Sequence, residues 1–316
     1  MSSMRTTMAT QPALLSAILA DRDPVERVAD RLTGRRVLLV GTGTSLHAAH
    51  QGASLLRSAG FEAWAVAAAD AALGDPAPRP GDALVLLSHR GWKRATSAVL
   101  AAAREHDVPT IVVSGQGSPG EPDLETSPQE TSATFTASHL GALARLAQLA
   151  AIHGAPLGAL DDVPAAVAAE LDGPPAGVPV PTRLLEYAGA GINAWTAAEG
   201  ALKIAEAAFV ASEGLAVEAV IHGPSAAIGE GDGLVCLDGG GPGSARVDDL
   251  AAVIAAHGAA VHRFDRTGLG ELLSIFPLTV VVQKIAAETA EALGTNPDSM
   301  GRDLPGRGAA WDSLEL

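Results

Sequence analysis

A single cysteine, Cys236, in 316 residues excludes an internal disulfide framework and any metal site built on several thiolates. It lies in the apolar run Gly233-Leu234-Val235-Cys236-Leu237, where a buried strand thiol is expected rather than a nucleophile. Aromatic residues make up only 3% of the chain and lysines number three, while Ala, Gly, Val and Leu dominate. A core of such small side chains needs the close helix–sheet approach of α/β proteins. Basic residues are outnumbered by acidic ones, 21 to 36, for a net charge of −15. That balance speaks against nucleic acid, which wants a basic face, and against an anionic membrane surface. No apolar run reaches membrane-spanning length, and no N-terminal stretch has the order of a signal peptide. A soluble, cytoplasmic protein is the expectation.

What is present suits a folded core: 47% of residues are apolar and 18% charged. The length fits two ordinary domains. Residues 1–10 are polar and read as frayed, and 11–32 carry helical spacing. Arg36–Val40, Ala83–Leu87 and Pro109–Val113 are short all-apolar runs of the kind that form buried parallel strands. Helical segments follow at 46–59, through Arg104, and from about Ser132 to His153. Residues 154–181 are rich in Pro and Gly and read as a linker around a helix at 162–171. The alternation resumes with strands at 183–188, 234–237 and 259–264. Residues 272–293 contain LTVVV, strand-like by propensity, but the length and the flanking IAAETAEAL favour a helix. The expected organisation is a first α/β domain at 1–153, a linker at 154–181, a second α/β domain at 182–293 and a tail at 294–316. Each domain is expected to be a parallel sheet flanked by helices on both faces. In such sheets ligands bind outside the carboxyl ends of the strands.

Three stretches fall at those ends. Gly41-Thr42-Gly43-Thr44-Ser45 offers backbone N–H groups and hydroxyls at a helix start, either as an anion site or as a simple cap. It is not a dinucleotide fingerprint, because Leu46 stands at the third glycine position. Ser88-His89-Arg90-Gly91-Trp92-Lys93-Arg94 is the most basic run of an acidic chain. Cations there oppose the helix dipole unless an anion compensates them. Glu199, Lys203 and Glu206 are spaced four and three apart, so they share one helical face. That face, with His222 in the following Ile221-His222-Gly223-Pro224 turn, holds the groups a proton-transfer site needs. The same spacing also describes a solvated Glu–Lys surface. His47 and His50, three apart on a helix, have no acidic or cysteine partner to complete a metal set and read as structural, and His139 and His153 read as packing or surface residues.

Taken together, these motifs resemble the sugar isomerase (SIS) domain family, most closely the isomerase halves of glucosamine-6-phosphate synthases and their glutaminase-free relatives. The resemblance is carried by Met8-Ala9-Thr10-Gln11-Pro12, by Gly41-Thr42-Gly43-Thr44-Ser45, by Glu199-Gly200-Ala201-Leu202-Lys203-Ile204-Ala205-Glu206, by His222-Gly223-Pro224 and by Gly294-Thr295-Asn296-Pro297-Asp298. It implies two SIS subdomains in a homodimer with the site at the interface. It further implies a sugar phosphate or related anionic metabolite as ligand, with no cofactor and no metal. Glu206 would move a proton between C1 and C2, Lys203 would assist electrostatically, and His222 of a neighbouring subunit would open the ring. Gly43, Thr44, Ser45, Ser88, His89, Arg90, Lys93, Ala133 and Glu199 would contact substrate.

The departures from the family pattern concern the pocket. The second phosphate loop of the family reads Ser-x-Ser-Gly-x-Thr, where this chain places Arg90 and Lys93 in the hydroxyl positions and adds Trp92. Phe135 stands where relatives carry a small hydroxyl residue, and the tail offers Arg307 in place of a lysine. The expectation is a sugar-phosphate isomerase or isomerising deaminase that works without a glutaminase, with a rebuilt ligand pocket. A specialised enzyme for another anion and a non-catalytic sugar-phosphate sensor are the rival readings.

Overall fold

The computed structural model describes residues 2–91, 93–119 and 121–312. In chain order it begins with α1 (Ser3–Ala9), α2 (Gln11–Ala20) and α3 (Asp23–Val28). Next come β1 (Arg36–Gly41), α4 (Thr44–Ser58), β2 (Ala63–Ala67), α5 (Ala68–Leu73), β3 (Asp82–Ser88), α6 (Arg94–Glu105), β4 (Thr110–Ser114), β5 (Leu124–Glu125) and α7 (Ala137–Ile152). After α8 (Val163–Asp172) follow β6 (Leu185–Gly189), α9 (Asn193–Ala208), β7 (Ser212–Ala216), α10 (Val217–Ile221), β8 (Gly233–Asp238) and α11 (Ser244–Ala256). The chain then adds β9 (Ala260–Asp265), α12 (Ile275–Leu293) and α13 (Arg307–Asp312).

The chain forms two compact units. One contains Thr10–Glu130 and Ala137–Asp161. Its five strands pair in parallel in the order β2-β1-β3-β4-β5. Leu38, Val40, Leu84 and Leu86 point to one face, against Ala68 and Ala71 of α5 and Val99 and Ala103 of α6. Leu39 points to the other face, where Gly52 of α4 fits so tightly that a β-carbon would fall 2.7 Å from Leu146 Cδ1 of α7. Alternate side chains of one strand thus serve two helical layers.

The other unit contains the residues up to Ala9, Thr131–Thr136 and Asp162–Trp311. Its sheet runs β7-β6-β8-β9, all parallel. Leu185, Tyr187, Val235 and Leu237 pack on one face with Ala197, Ala201 and Ile204 of α9 and Leu278, Val281 and Ile285 of α12. Ala188, Leu234 and Cys236 pack on the other with Val217 and Val220 of α10 and Val247, Leu250 and Ile254 of α11. Cys236 is fully buried, and burial pushes its thiol up to about 12. In both sheets the strand order reverses beside the first strand, between β1 and β3 and between β6 and β8. Each unit therefore has a crevice at the carboxyl ends of those strands.

The expected α/β architecture of two parallel sheets is present, and the LTVVV segment is helical within α12. The structure also corrects several local expectations. The first residues are not frayed: α1 buries Met4 and Met8, four apart on one face, in the core beside α12. The helix expected from Ser132 begins at Ala137. Residues 131–136 are instead held by the tail, where the Ala133 N–H donates to Asp298 O (3.0 Å) and Thr134 Oγ1 to Pro297 O (2.7 Å). The stretch after α9, to which no element was assigned, forms strand β7.

Candidate active site

The long helix α9 places Glu199, Lys203 and Glu206 on one face, as the spacing predicts. Lys203 is 1% exposed and Glu199 0%, and their charged atoms lie 3.5 Å apart. Lys203 Nζ also donates to Glu206 Oε2, whose side chain keeps 14% of its surface in solvent. The even-handed alternative, a solvated charge stripe, is thereby set aside. A buried ammonium between two carboxylates is a costly arrangement unless each charge is compensated. Gly200 on the same helix fits against the Tyr187 ring, where a β-carbon would fall 2.8 Å from Cδ1. The helix that carries the cluster is therefore held close against β6.

His222 lies just after α10 and is 77% exposed in the single chain. Its Nε2 is 3.5 Å from Glu218 Oε2, and Glu218 also binds Arg246. The i,i+4 spacing of Glu218 and His222 was readable in the sequence and was not singled out there.

The first unit carries the other expected residues at the carboxyl edge of its sheet. Gly43, at φ 57°, ends the β1 turn, and its carbonyl accepts N–H groups from Leu46 (2.8 Å) and His47 (3.1 Å) at the start of α4. Thr44 and Ser45 open that helix. Ser88 ends β3. Its Oγ accepts the Gly91 N–H (3.2 Å) and its carbonyl accepts the Ser114 hydroxyl. Gly91 sits at φ 75°, with a β-carbon position 2.8 Å from Pro119 O, so only glycine suits this turn. Arg90 and Lys93 flank it, half-buried, at the start of α6. Trp92 lies outside the described residues.

His89 is buried and serves the loop itself. Its carbonyl accepts the Gly115 N–H (3.0 Å), Ser118 Oγ (2.9 Å) and Gln129 Nε2 (3.1 Å). Its Nε2 accepts the Glu130 N–H (3.1 Å), which keeps the ring neutral. Desolvation holds the imidazole below its ordinary value, with Glu130 opposing and Arg90 adding to that effect. Glu130 in turn accepts the Ser138 N–H in the first turn of α7 (2.8 Å). Ala133, by contrast, is in the unit of α9, against the tail. Burial pushes His50 of α4 down to about 4, with help from His47 and Arg57. His153 Nε2 lies 3.2 Å from Ala29 O, and its ring meets Phe61 edge-on.

Residues 33–153 match the family model of the SIS domain. No curated protein matches the sequence. Among solved structures, the C-terminal domain of glucosamine-fructose-6-phosphate aminotransferase from Francisella tularensis superposes with a TM-score of 0.80 at 16% identity, covering 94% of this chain and 97% of that one. Tagatose-6-phosphate ketose/aldose isomerase from Escherichia coli gives 0.79 at 17% identity, with 95% of each chain covered. Glucosamine-6-phosphate deaminase from Thermotoga maritima gives 0.75 at 18% identity, covering 94% of this chain and 97% of that one. At these identities the likeness is one of fold, and it extends over both units.

Proposed function

We propose that the protein catalyses proton transfer between C1 and C2 of an open-chain sugar phosphate, with an amino sugar phosphate as the favoured substrate class. The reaction is aldose–ketose isomerisation, or isomerisation with loss of ammonia. Glu206 takes the proton from one carbon and returns it to the other through an enediol. Lys203 stabilises the oxygen that becomes negative in between. His222 reaches the site of a second subunit in a homodimer, where it opens the sugar ring. The observation that carries this reading is a buried lysine held between two carboxylates on one helix, of which Glu206 alone keeps contact with solvent. The fold shared with isomerases and a deaminase that act on phosphosugars supports it. The test is NMR in D2O with fructose 6-phosphate and glucosamine 6-phosphate. Deuterium is expected at C1 or C2 with the wild type and not with Glu206→Gln, which should still bind the sugar. Undiminished exchange by that variant would sink the assignment.

A second reading keeps the same proton chemistry and changes the anion. It is favoured by Arg90 and Lys93 at the start of α6, where the family pattern has hydroxyls. Two cations there hold a carboxylate or a more highly charged group by charge rather than by neutral donors. Replacing both, Arg90→Ser with Lys93→Thr, should improve the binding of ordinary hexose phosphates if this reading is right. If it abolishes the binding of every sugar phosphate the wild type accepts, the simple phosphate reading stands.

A further inference from the structure

The two halves turn from first strand to first helix in the same way. Gly41 ends β1 and Gly189 ends β6. A β-carbon on either would fall against the next helix, 2.4 Å from Ser45 O and 2.1 Å from Asn193 O respectively. Gly43 and Gly191 follow two residues later, at φ 57° and 54°. In the first half this turn carries candidate substrate residues. In the second half it faces the glycine run that follows β8, Gly239-Gly240-Gly241.

The chain itself fills the crevice between those two loops. After β9, the Arg266 N–H donates to Asp238 O (2.9 Å), and Thr267 lies over Gly240, where a β-carbon would fall 2.8 Å from Thr267 Cγ2. The segment then brings the Glu271 carboxylate against both loops. A β-carbon on Gly191 would fall 2.0 Å from Oε1, and one on Gly241 would fall 2.2 Å from Oε2. Glycine at both positions is what leaves room for the carboxylate. The main chain of Glu271 is fixed as well. Its carbonyl accepts Ser274 Oγ (2.7 Å), Ser274 Oγ accepts Asn193 Nδ2 (2.8 Å), and Asn193 Oδ1 accepts Thr196 Oγ1 (3.0 Å). Asn193, Thr196 and Ser274 are all buried, and the first two form the opening turn of α9.

We propose that Glu271 is a built-in anion of the second half: its carboxylate occupies the crevice outside β6 and β8 and holds the opening turn of α9 in place with no ligand bound. A negative charge at this end of a sixteen-residue helix complements the dipole. Because α9 carries Glu199, Lys203 and Glu206, Glu271 is a positioning residue that touches no reacting atom. Its relevance to turnover rests on the proton-transfer reading above, whereas its occupancy of the crevice does not.

The test uses Glu271→Ala and Glu271→Gln in the full chain, with amide hydrogen exchange at residues 192–196 as the readout. Glu271→Ala is expected to exchange at least tenfold faster there. Sodium formate should restore protection saturably at constant ionic strength, and sodium chloride should not. Glu271→Gln fills the same space without the charge and is expected to exchange faster than wild type. Protection equal to wild type in Glu271→Gln would reduce the contact to packing and overturn the proposal. So would an alanine variant that formate protects no better than chloride does. If Glu271→Ala does not fold, the glutamine variant decides alone. None of these readouts involves turnover, so a failed proton-transfer assignment leaves them standing, and their failure leaves that assignment untouched.

Discussion

Glu186 and Glu213 stand in register on the neighbouring parallel strands β6 and β7, the first sealed in the core and the second in solvent. Both carboxylate oxygens of Glu186 lack a hydrogen-bond partner among the described residues. Its neighbours Leu185 and Tyr187 face α9 and α12, so strand alternation turns Glu186 toward the α10–α11 side. The charges on that side are exposed and already paired, Glu218 with Arg246 and His222, Arg246 with Asp249, and Asp248 with Arg263 of β9.

Desolvation, helped by the Glu213 charge, pushes the Glu186 carboxyl from 4.5 up to about 8. The folded chain therefore keeps this proton to about pH 8, whereas the unfolded chain releases it near 4.5. Between those values the folded state binds more protons, so stability falls as pH rises through that window and levels off above it. Glu186→Gln is expected to remove this slope. At pH 8 the variant should be more stable by about 4 kcal/mol, with each kcal/mol shifting Tm by roughly 2–4 °C. Thermal melts from pH 5 to 8 check this, and parallel slopes for the two proteins would refute it.

The ion triad on α9 leads to a prediction about stability that is separate from catalysis. Removing the cation with Lys203→Met leaves the Glu199 charge buried without it, which costs about 3–5 kcal/mol. Adding Glu199→Gln should return more than half of that loss, because the stranded charge is gone. Glu206 reaches water, so Glu206→Gln alone should cost far less. Urea unfolding of the four proteins reads the comparison directly. A double variant no more stable than Lys203→Met would mean that the two residues do not form a coupled pair.

Legibility in the sequence followed burial. β1, β3, β4 and β8 are apolar runs because helices cover both faces, and each was visible as such, while β6 was expected as a strand although Glu186 interrupts it. β7 reads SEGLA and was not visible. It is an edge strand whose Glu213 is solvated and whose Gly214 is required because a β-carbon would fall 2.2 Å from Ala197 O. β2 hid for the same reason, since Trp64 on that edge is exposed. The Met4 and Met8 pair had the right spacing for a buried helix face, but the polar residues between them masked it. On α9, three charges at helical spacing pointed to the buried cluster of Glu199, Lys203 and Glu206. Glu271 had no such pattern, because it stands alone in a glycine-rich turn and gains its place only when two distant loops close around it.

Tyr187 and Gly200 offer opposite expectations at one contact. Tyr187 is fully buried and its hydroxyl has no hydrogen-bond partner among the described residues. Tyr187→Phe removes a polar atom that folding strips of water, so it is expected to be neutral or to stabilise by about 1 kcal/mol. Gly200→Ala pushes a methyl against the same ring, at 2.8 Å from two of its carbons, and is expected to cost about 1–3 kcal/mol. Calorimetry on both variants checks the pair, and a stabilised Gly200→Ala would show that the ring has room to move.

Lys284 ties the proline- and glycine-rich segment to α12. The ammonium, on a buried side chain, donates to Glu170 O (2.8 Å), Gly173 O (3.2 Å) and Pro174 O (2.7 Å), around the C-terminal end of α8. One turn further along α12, Glu288 accepts the N–H groups of Ala176 (3.1 Å) and Gly177 (3.3 Å). A cation at a helix C-terminus is favourable for the dipole, and here it also satisfies carbonyls that the helix leaves open. Lys284→Met keeps the apolar stem and removes all three donors, so it should cost about 2–3 kcal/mol. It should also expose residues 173–181 to limited proteolysis several-fold faster than in the wild type. Glu288→Gln retains an acceptor for one N–H and should show a smaller effect. Unchanged cleavage and an unchanged Tm in Lys284→Met would mean that the proline and glycine residues hold the segment in place without the lysine.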